Sequence, residues 1–294
     1  MTPMDVTPLD APLAATVRGW DPSRPLTDDE SSQLRDALAR HHVIVLRGHP
    51  QPTAAELARF ANHFGPVAPA SDMYEGISFE HHEVMAVSNE LNEKGYERGV
   101  AGSGALPWHT DYSFLTTAGK ESFLEAMVLP PGGGPNTMFC DLYAAYEALS
   151  DEWRARVQGL MGHHTLLAAS GYSRPEGDAD ELKARERQRN PELTYPDDGT
   201  GAWHPAVITH PETGRKALYV SEFVSHFEGL DIEESRSIVR ELLAFATAPE
   251  RVYSHAWQLG DLIVFDTVGT VHRRDNLRTD QPRTMRQLST LLAA

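Results

Sequence analysis

The order of short strands and helices constrains this chain more than any other feature. Helical spacing predicts a helix over 27–40, with Thr27 as its cap and acidic residues in its first turn. A β-branched run, HVIVLR, follows over 42–47, and Thr53 opens a second helix over 53–64 that Gly65 and Pro66 stop. Strands are expected at 122–129, from 137, at 206–209 and at 216–220, the last two joined by the turn HPETGR. Helices are expected at 141–160 and 232–246, and strands at 253–258, 261–266 and 284–292. Helices flanking short strands that return at the C-terminus argue for a mainly β fold, a decorated antiparallel barrel rather than a doubly wound parallel sheet. No repeat or low-complexity tract interrupts the 294 residues, which suit one domain spanning 1–294.

Two stretches carry little periodicity. Residues 68–106 scatter five glycines, and 170–201 mix Gly, Pro and charged residues. Long irregular connections of this kind are commonly functional, and both are expected to wall a pocket. The net charge of −16 repels phosphate backbones and anionic lipid surfaces, so nucleic acid is not expected as a partner. The single cysteine, Cys140, cannot form an internal disulfide, and no apolar run approaches the ~20 residues that cross a bilayer. A cytoplasmic protein without a membrane partner is the expectation.

The segment PWHTDYSF places His109 and Asp111 two residues apart, so in an extended backbone both side chains share one face. A second histidine from a distant strand would complete the two-histidine, one-carboxylate facial triad of non-heme Fe(II) oxygenases. His272, after the strand DLIVFD, is the best candidate. Three ligands on one octahedral face leave two positions for a bidentate 2-oxo acid and one for O2. Alone, the pair is weak: with 14 histidines and 42 acidic residues such spacings arise by chance. His81, His82, His163, His164, His204, His210 and His255 are read as packing, capping or loop residues.

The longer motifs change that weight. In order, the chain carries VIVLRG, HFGPV, VSNELNEKG, PWHTDYSF, LPPGGGPNTMFCDLYAAYEAL, HPETGRKALYVS and GDLIVFDTVGTVHRRD. Along nearly its whole length it resembles the taurine dioxygenase and 2,4-dichlorophenoxyacetate dioxygenase family of Fe(II)- and 2-oxoglutarate-dependent oxygenases. The resemblance implies a double-stranded β-helix (jelly-roll, cupin-like) core, with Fe(II), 2-oxoglutarate as cosubstrate, and O2. It implies His109, Asp111 and His272 as iron ligands and Thr137 as a contact of the 2-oxoglutarate carboxylate. It also implies an arginine after the distal histidine, gripping the remote carboxylate with a planar fork. Arg283 has the spacing of the taurine branch and Arg286 that of a clavaminate-synthase-like branch; three apart on a strand they face opposite ways, and the reading leans to Arg286.

Where the taurine branch binds sulfonate with a second arginine and a histidine, this chain has Gln287, or Thr290 in the other register, and Ala70. Taurine is therefore not the expected substrate, because a buried sulfonate without those partners is costly. Asp111 is intact, whereas halogenating members replace that carboxylate, so hydroxylation or oxidative cleavage of a small organic substrate is expected. Asn89, Trp108, Tyr112 and Gln287 are candidate pocket residues. The family resemblance also admits a homo-oligomer. The rivals are a non-catalytic cupin-like binding protein and a zinc hydrolase using the same ligands.

Overall fold

A computed structural model describes residues 4–69, 80–96, 98–99, 104–169, 201–278 and 280–292. In chain order the strands are β1 (Asp5–Pro8), β2 (Ala15–Arg18), β3 (Val43–Leu46), β4 (Met85–Ser88), β5 (Leu106–His109), β6 (Gly119–Val128), β7 (Thr137–Asp141) and β8 (Met161–His164). They continue as β9 (Ala202–Pro205), β10 (Val207–Thr209), β11 (Lys216–Leu218), β12 (Val224–Phe227), β13 (Val252–His255), β14 (Leu262–Asp266), β15 (Thr270–Arg274) and β16 (Thr284–Leu291). A seven-stranded sheet in the order β1-β2-β3-β14-β6-β16-β4 packs on a four-stranded sheet, β13-β7-β15-β5. The pairings are antiparallel except β2 with β3, and chain neighbours are rarely sheet neighbours, which is the weave of a jelly roll.

Period-2 alternation sorts the side chains of the large sheet. Val43 and Val45 of β3, Ile263 and Phe265 of β14, and Met285 of β16 point inward to Phe139 and Tyr253 of the small sheet. Ile44, Leu46, Leu262, Val264 and Leu288 point outward, under helices α1 (Asp28–His41) and α2 (Ala54–Ala61). Each such side chain contributes roughly 1.5–3 kcal/mol by leaving water. Both helices begin with a capping box, Thr27 with Glu30 and Thr53 with Glu56, which satisfies two orphan donors at each start. Behind the small sheet, Cys140 and Val271 pack against α3 (Leu142–Glu147) and, further along the chain, α6 (Ile232–Ala246).

Several expectations are corrected. The helix expected over 141–160 is two helices, α3 and α4 (Asp151–Val157), because Ser150 caps a new start through its hydroxyl to the Trp153 N–H at 3.2 Å. The second helix stops at Ala61, and Phe64 donates back to Ala61 O in a tight turn. The Pro-rich start forms the β1–β2 hairpin. His163 and His164 follow α4 and lie on β8. Residues 170–200 and much of 68–106, including Ala70, lie outside the described residues. A short α5 (Leu166–Ala169) precedes the first of these gaps.

Candidate active site

His109 ends β5, and His272 sits in the middle of β15, its register partner. The pairing of these two distant segments brings the imidazole centroids to 4.0 Å, the rings tilted by 46°. Asp111 does not share a strand face with His109, as an extended reading of the pair required. The strand stops at His109 and the chain turns through 111–114, with Tyr112 at φ +58°, so the carboxylate is presented from a turn just past the strand end. Asp111 Oδ1 then lies 3.5 Å from His109 Nε2 and 3.7 Å from His272 Nε2. One ligand atom from each of the three residues falls within 4.8 Å of the others.

The electrostatics suit a cation. The Pro107 carbonyl can only accept, so His109 Nδ1 donates to it at 2.8 Å, and Nε2 is the nitrogen that faces the carboxylate. Burial, reinforced by His109, pushes the His272 imidazole down to about 3 despite Asp111, so the ring is neutral at pH 7. Burial pushes the Asp111 carboxyl up, but His272 and His109 outweigh it and hold the group at about 2. His272 Nδ1 is buried without a hydrogen-bond partner among the described residues. Two imidazole nitrogens facing one carboxylate oxygen form a donor set that a divalent metal fits.

The turn into β15 is rigidly built. Asp266 Oδ1 accepts the N–H groups of Val268 and Gly269 at 2.9 and 3.0 Å, and Oδ2 accepts the Tyr143 hydroxyl at 2.6 Å. A Cβ at Gly269 would lie 1.8 Å from the Tyr143 ring, so only glycine lets α3 approach the turn that aims His272. Phe265 and Phe139 wall the His272 ring at 4.8 and 5.7 Å.

The two candidate arginines separate onto opposite faces of β16. Arg283 and Met285 lie on the inward face, Arg286 and Leu288 on the outward one. Arg286 is engaged outside the barrel: its Nε donates to Glu125 Oε2 at 2.9 Å and its Nη2 to the same oxygen at 2.5 Å and to Pro52 O at 2.6 Å. Arg286, toward which the sequence reading leans, is thus engaged by protein partners. Arg283 is buried, its guanidinium lies 5.8 Å from the Trp257 ring, and its Nε and Nη2 have no hydrogen-bond partner among the described residues. Burial, then nearby Arg274, pushes it down to about 9, the mark of a positive charge without a protein counter-ion. Trp257 Nε1 also donates to Thr137 Oγ1 at 3.0 Å, which leaves the Thr137 proton free to donate. Thr137 and Arg283 thus share one indole.

The pocket candidates divide. Gln287 faces the triad, and its Nε2 donates to Asp111 Oδ2 at 2.9 Å. Tyr112 is buried and stacks on Phe114 at 6.3 Å. Asn89 is a clamp: Oδ1 accepts the Arg283 N–H at 2.8 Å and Nδ2 donates to Gln281 O at 2.9 Å, which fixes the approach to β16. Trp108 follows the alternation of β5 away from His109 and packs in the outer cluster with Tyr146 and Trp153. Sequence reasoning missed Trp257 and Phe223, whose ring lies 5.2 Å from His109. Neither sits in a motif that announces a role. Among the described residues His81, His82 and Glu83 form a second His/acid grouping, three neighbours in a turn with His82 largely exposed.

Fold and site together define a jelly-roll oxygenase scaffold with a buried His-Asp-His face. The chain matches the family "Taurine catabolism dioxygenase TauD, TfdA family" over residues 5–289 and belongs to it. It is 35% identical to pentalenolactone F synthase of Streptomyces avermitilis over 292 residues, 98% of this chain and 94% of the relative. It is 33% identical to the 2,4-dichlorophenoxyacetate dioxygenase of Cupriavidus pinatubonensis, over 97% of this chain and 96% of the relative. The solved structure of AAD-2 with Mn(II) and N-oxalylglycine superposes with a TM-score of 0.79 at 29% identity, covering 100% of this chain and 99% of that one. The chain is an oxidoreductase, a dioxygenase that uses Fe(II), 2-oxoglutarate and O2 on a small molecule. Among the described residues no helix is long and apolar enough to cross a membrane.

Proposed function

We propose that His109, Asp111 and His272 hold the Fe(II), that Thr137 and Arg283 hold 2-oxoglutarate, and that the enzyme oxidises a C–H bond of a small organic substrate other than taurine. The observation that carries this reading is Asp111 Oδ1 facing both imidazole Nε2 atoms within 3.7 Å; a buried arginine with unmet donors, four residues before Gln287, supports it. When bound, Fe(II) with 2-oxoglutarate and O2 supplies the oxidant: one oxygen atom leaves in succinate, with CO2, and the other enters the product. The protein's own contribution is placement. Arg283 orients the remote carboxylate of the cosubstrate through its planar fork, and the Thr137 hydroxyl, which accepts from Trp257, donates its proton to that carboxylate. Phe223, Phe114 and Tyr112 pack beside the triad and keep water from the reacting face.

Gln287 supports the exclusion of taurine, since a sulfonate at that position would meet Asp111 without a compensating cation. The carboxylate of Asp111 favours hydroxylation, or cleavage where the hydroxylated carbon bears a heteroatom, over halogenation. A buried Cys140 and the charge of −16 suit a cytoplasmic enzyme that does not bind nucleic acid. The test is succinate formation from 2-oxoglutarate with Fe(II), ascorbate and O2, comparing the parent with His109→Ala and Asp111→Ala. Both variants are expected to fall to background; full activity in either one refutes the triad.

A further inference from the structure

We infer that Gln287 is a positioning residue that presents Asp111 to the metal through one oxygen only. This rests on the triad reading above. The Asp111 carboxylate is divided by its surroundings. Oδ1 faces His109 and His272, while Oδ2 is turned away and accepts the Gln287 amide at 2.9 Å. Gln287 is itself buried on β16, held in register between Met85 of β4 and Leu124 of β6, so the amide has little freedom to follow the carboxylate if it rotates.

The chemistry of the donor explains why an amide serves here. A carboxylate free to rotate can bring both oxygens to a cation, which would occupy one of the three positions that the 2-oxo acid and O2 require. A hydrogen bond to Oδ2 opposes that rotation. An arginine at 287 would make the same bond but add a positive charge beside the metal face and compete for Asp111 as an ion pair. A neutral amide donates one hydrogen bond and leaves the carboxylate's charge for the metal. Residues that hydrogen-bond a ligating carboxylate tune a site this way, and their loss typically weakens metal binding about 10–100-fold.

The experiment uses the full chain without oxygen and reads metal binding rather than turnover. Mn(II) affinity is measured by calorimetry, and Co(II) coordination by its visible d–d absorption, for the parent, Gln287→Met and His109→Ala. Gln287→Met keeps the length of the side chain and removes the donor. It is expected to weaken Mn(II) about 10–100-fold and to alter the Co(II) band intensities, while the metal-free melting temperature stays with the parent. Mn(II) affinity within about twofold of the parent, with the same Co(II) spectrum, overturns the proposal. If Gln287→Met does not fold, Gln287→Asn, whose amide is one methylene short, takes its place under the same two outcomes. His109→Ala separates the two readings. If it keeps parental affinity, the triad assignment fails and this inference with it; if it loses Mn(II) while Gln287→Met does not, only the role of Gln287 falls.

Discussion

Arg283 and Arg286 stand three residues apart, both buried, and the two faces of β16 treat them oppositely. On the outer face Arg286 meets Glu125, buried like itself, and the Pro52 carbonyl. On the inner face two donors of Arg283 find no acceptor among the described residues, and Trp257 offers only a ring. A buried charge matched by the protein belongs to the fold; one left unmatched awaits a counter-charge from outside. Even the matched pair is strained toward neutrality: burial pushes the Glu125 carboxyl up to about 6 although Arg286 pulls the other way.

Four measurements test this contrast and extend it. Arg286→Met should be the most damaging to stability, about 3–5 kcal/mol in denaturant unfolding, because it strands Glu125, yet it should leave the KM for 2-oxoglutarate unchanged. A raised KM with unchanged stability would reverse the two roles. Arg283→Met should do the opposite, raising the KM for 2-oxoglutarate roughly 100-fold, or about 2.7 kcal/mol, with stability equal to or above the parent. Thr137→Val, which removes the hydroxyl between Trp257 and the cosubstrate, should raise that KM roughly tenfold, or about 1.4 kcal/mol. The last concerns His164, buried and without partners for either nitrogen among the described residues.

Burial, with His204 and His163, pushes the His164 imidazole well below its ordinary value of 6.5. The unfolded chain therefore binds the extra proton as pH falls below 6.5, and the folded state loses stability in that direction. Relative to the parent, His164→Phe should flatten the pH dependence of unfolding by about 1.4 kcal/mol per pH unit below 6.5. An unchanged slope would show that His164 has an unseen partner.

What was legible in the sequence follows from how local each signal is. The boxes of Thr27 with Glu30 and of Thr53 with Glu56 lie within one helical turn, so both helix starts could be read directly. The ordered motifs named His109, Asp111 and His272. The strand carrying His272 was hidden because TVHRR is short and polar, and the turn at Tyr112 was hidden because no glycine or proline marks it. The arginine choice was unreadable for a different reason. β16 is buried on both faces, with Met285 inward and Leu288 outward, so no polar alternation tells inside from outside. Only the pairing with β4 and β6 decides it.

That pairing makes β16 a ruler. Arg283, just before the strand, and Gln287 sit four residues apart on its inner face, about 13 Å at ~3.3 Å per residue, one beside Trp257 and one beside Asp111. A slip of one residue would exchange every occupant of the two faces at once: Arg286 would enter the barrel, Leu288 would face Asp111, and Glu125 would lose its cation. The segment between β15 and β16 can thus change in composition far more freely than in its alignment with the strand that follows. Asn89, gripping the backbone at 281 and 283, is the latch that sets the zero of the scale.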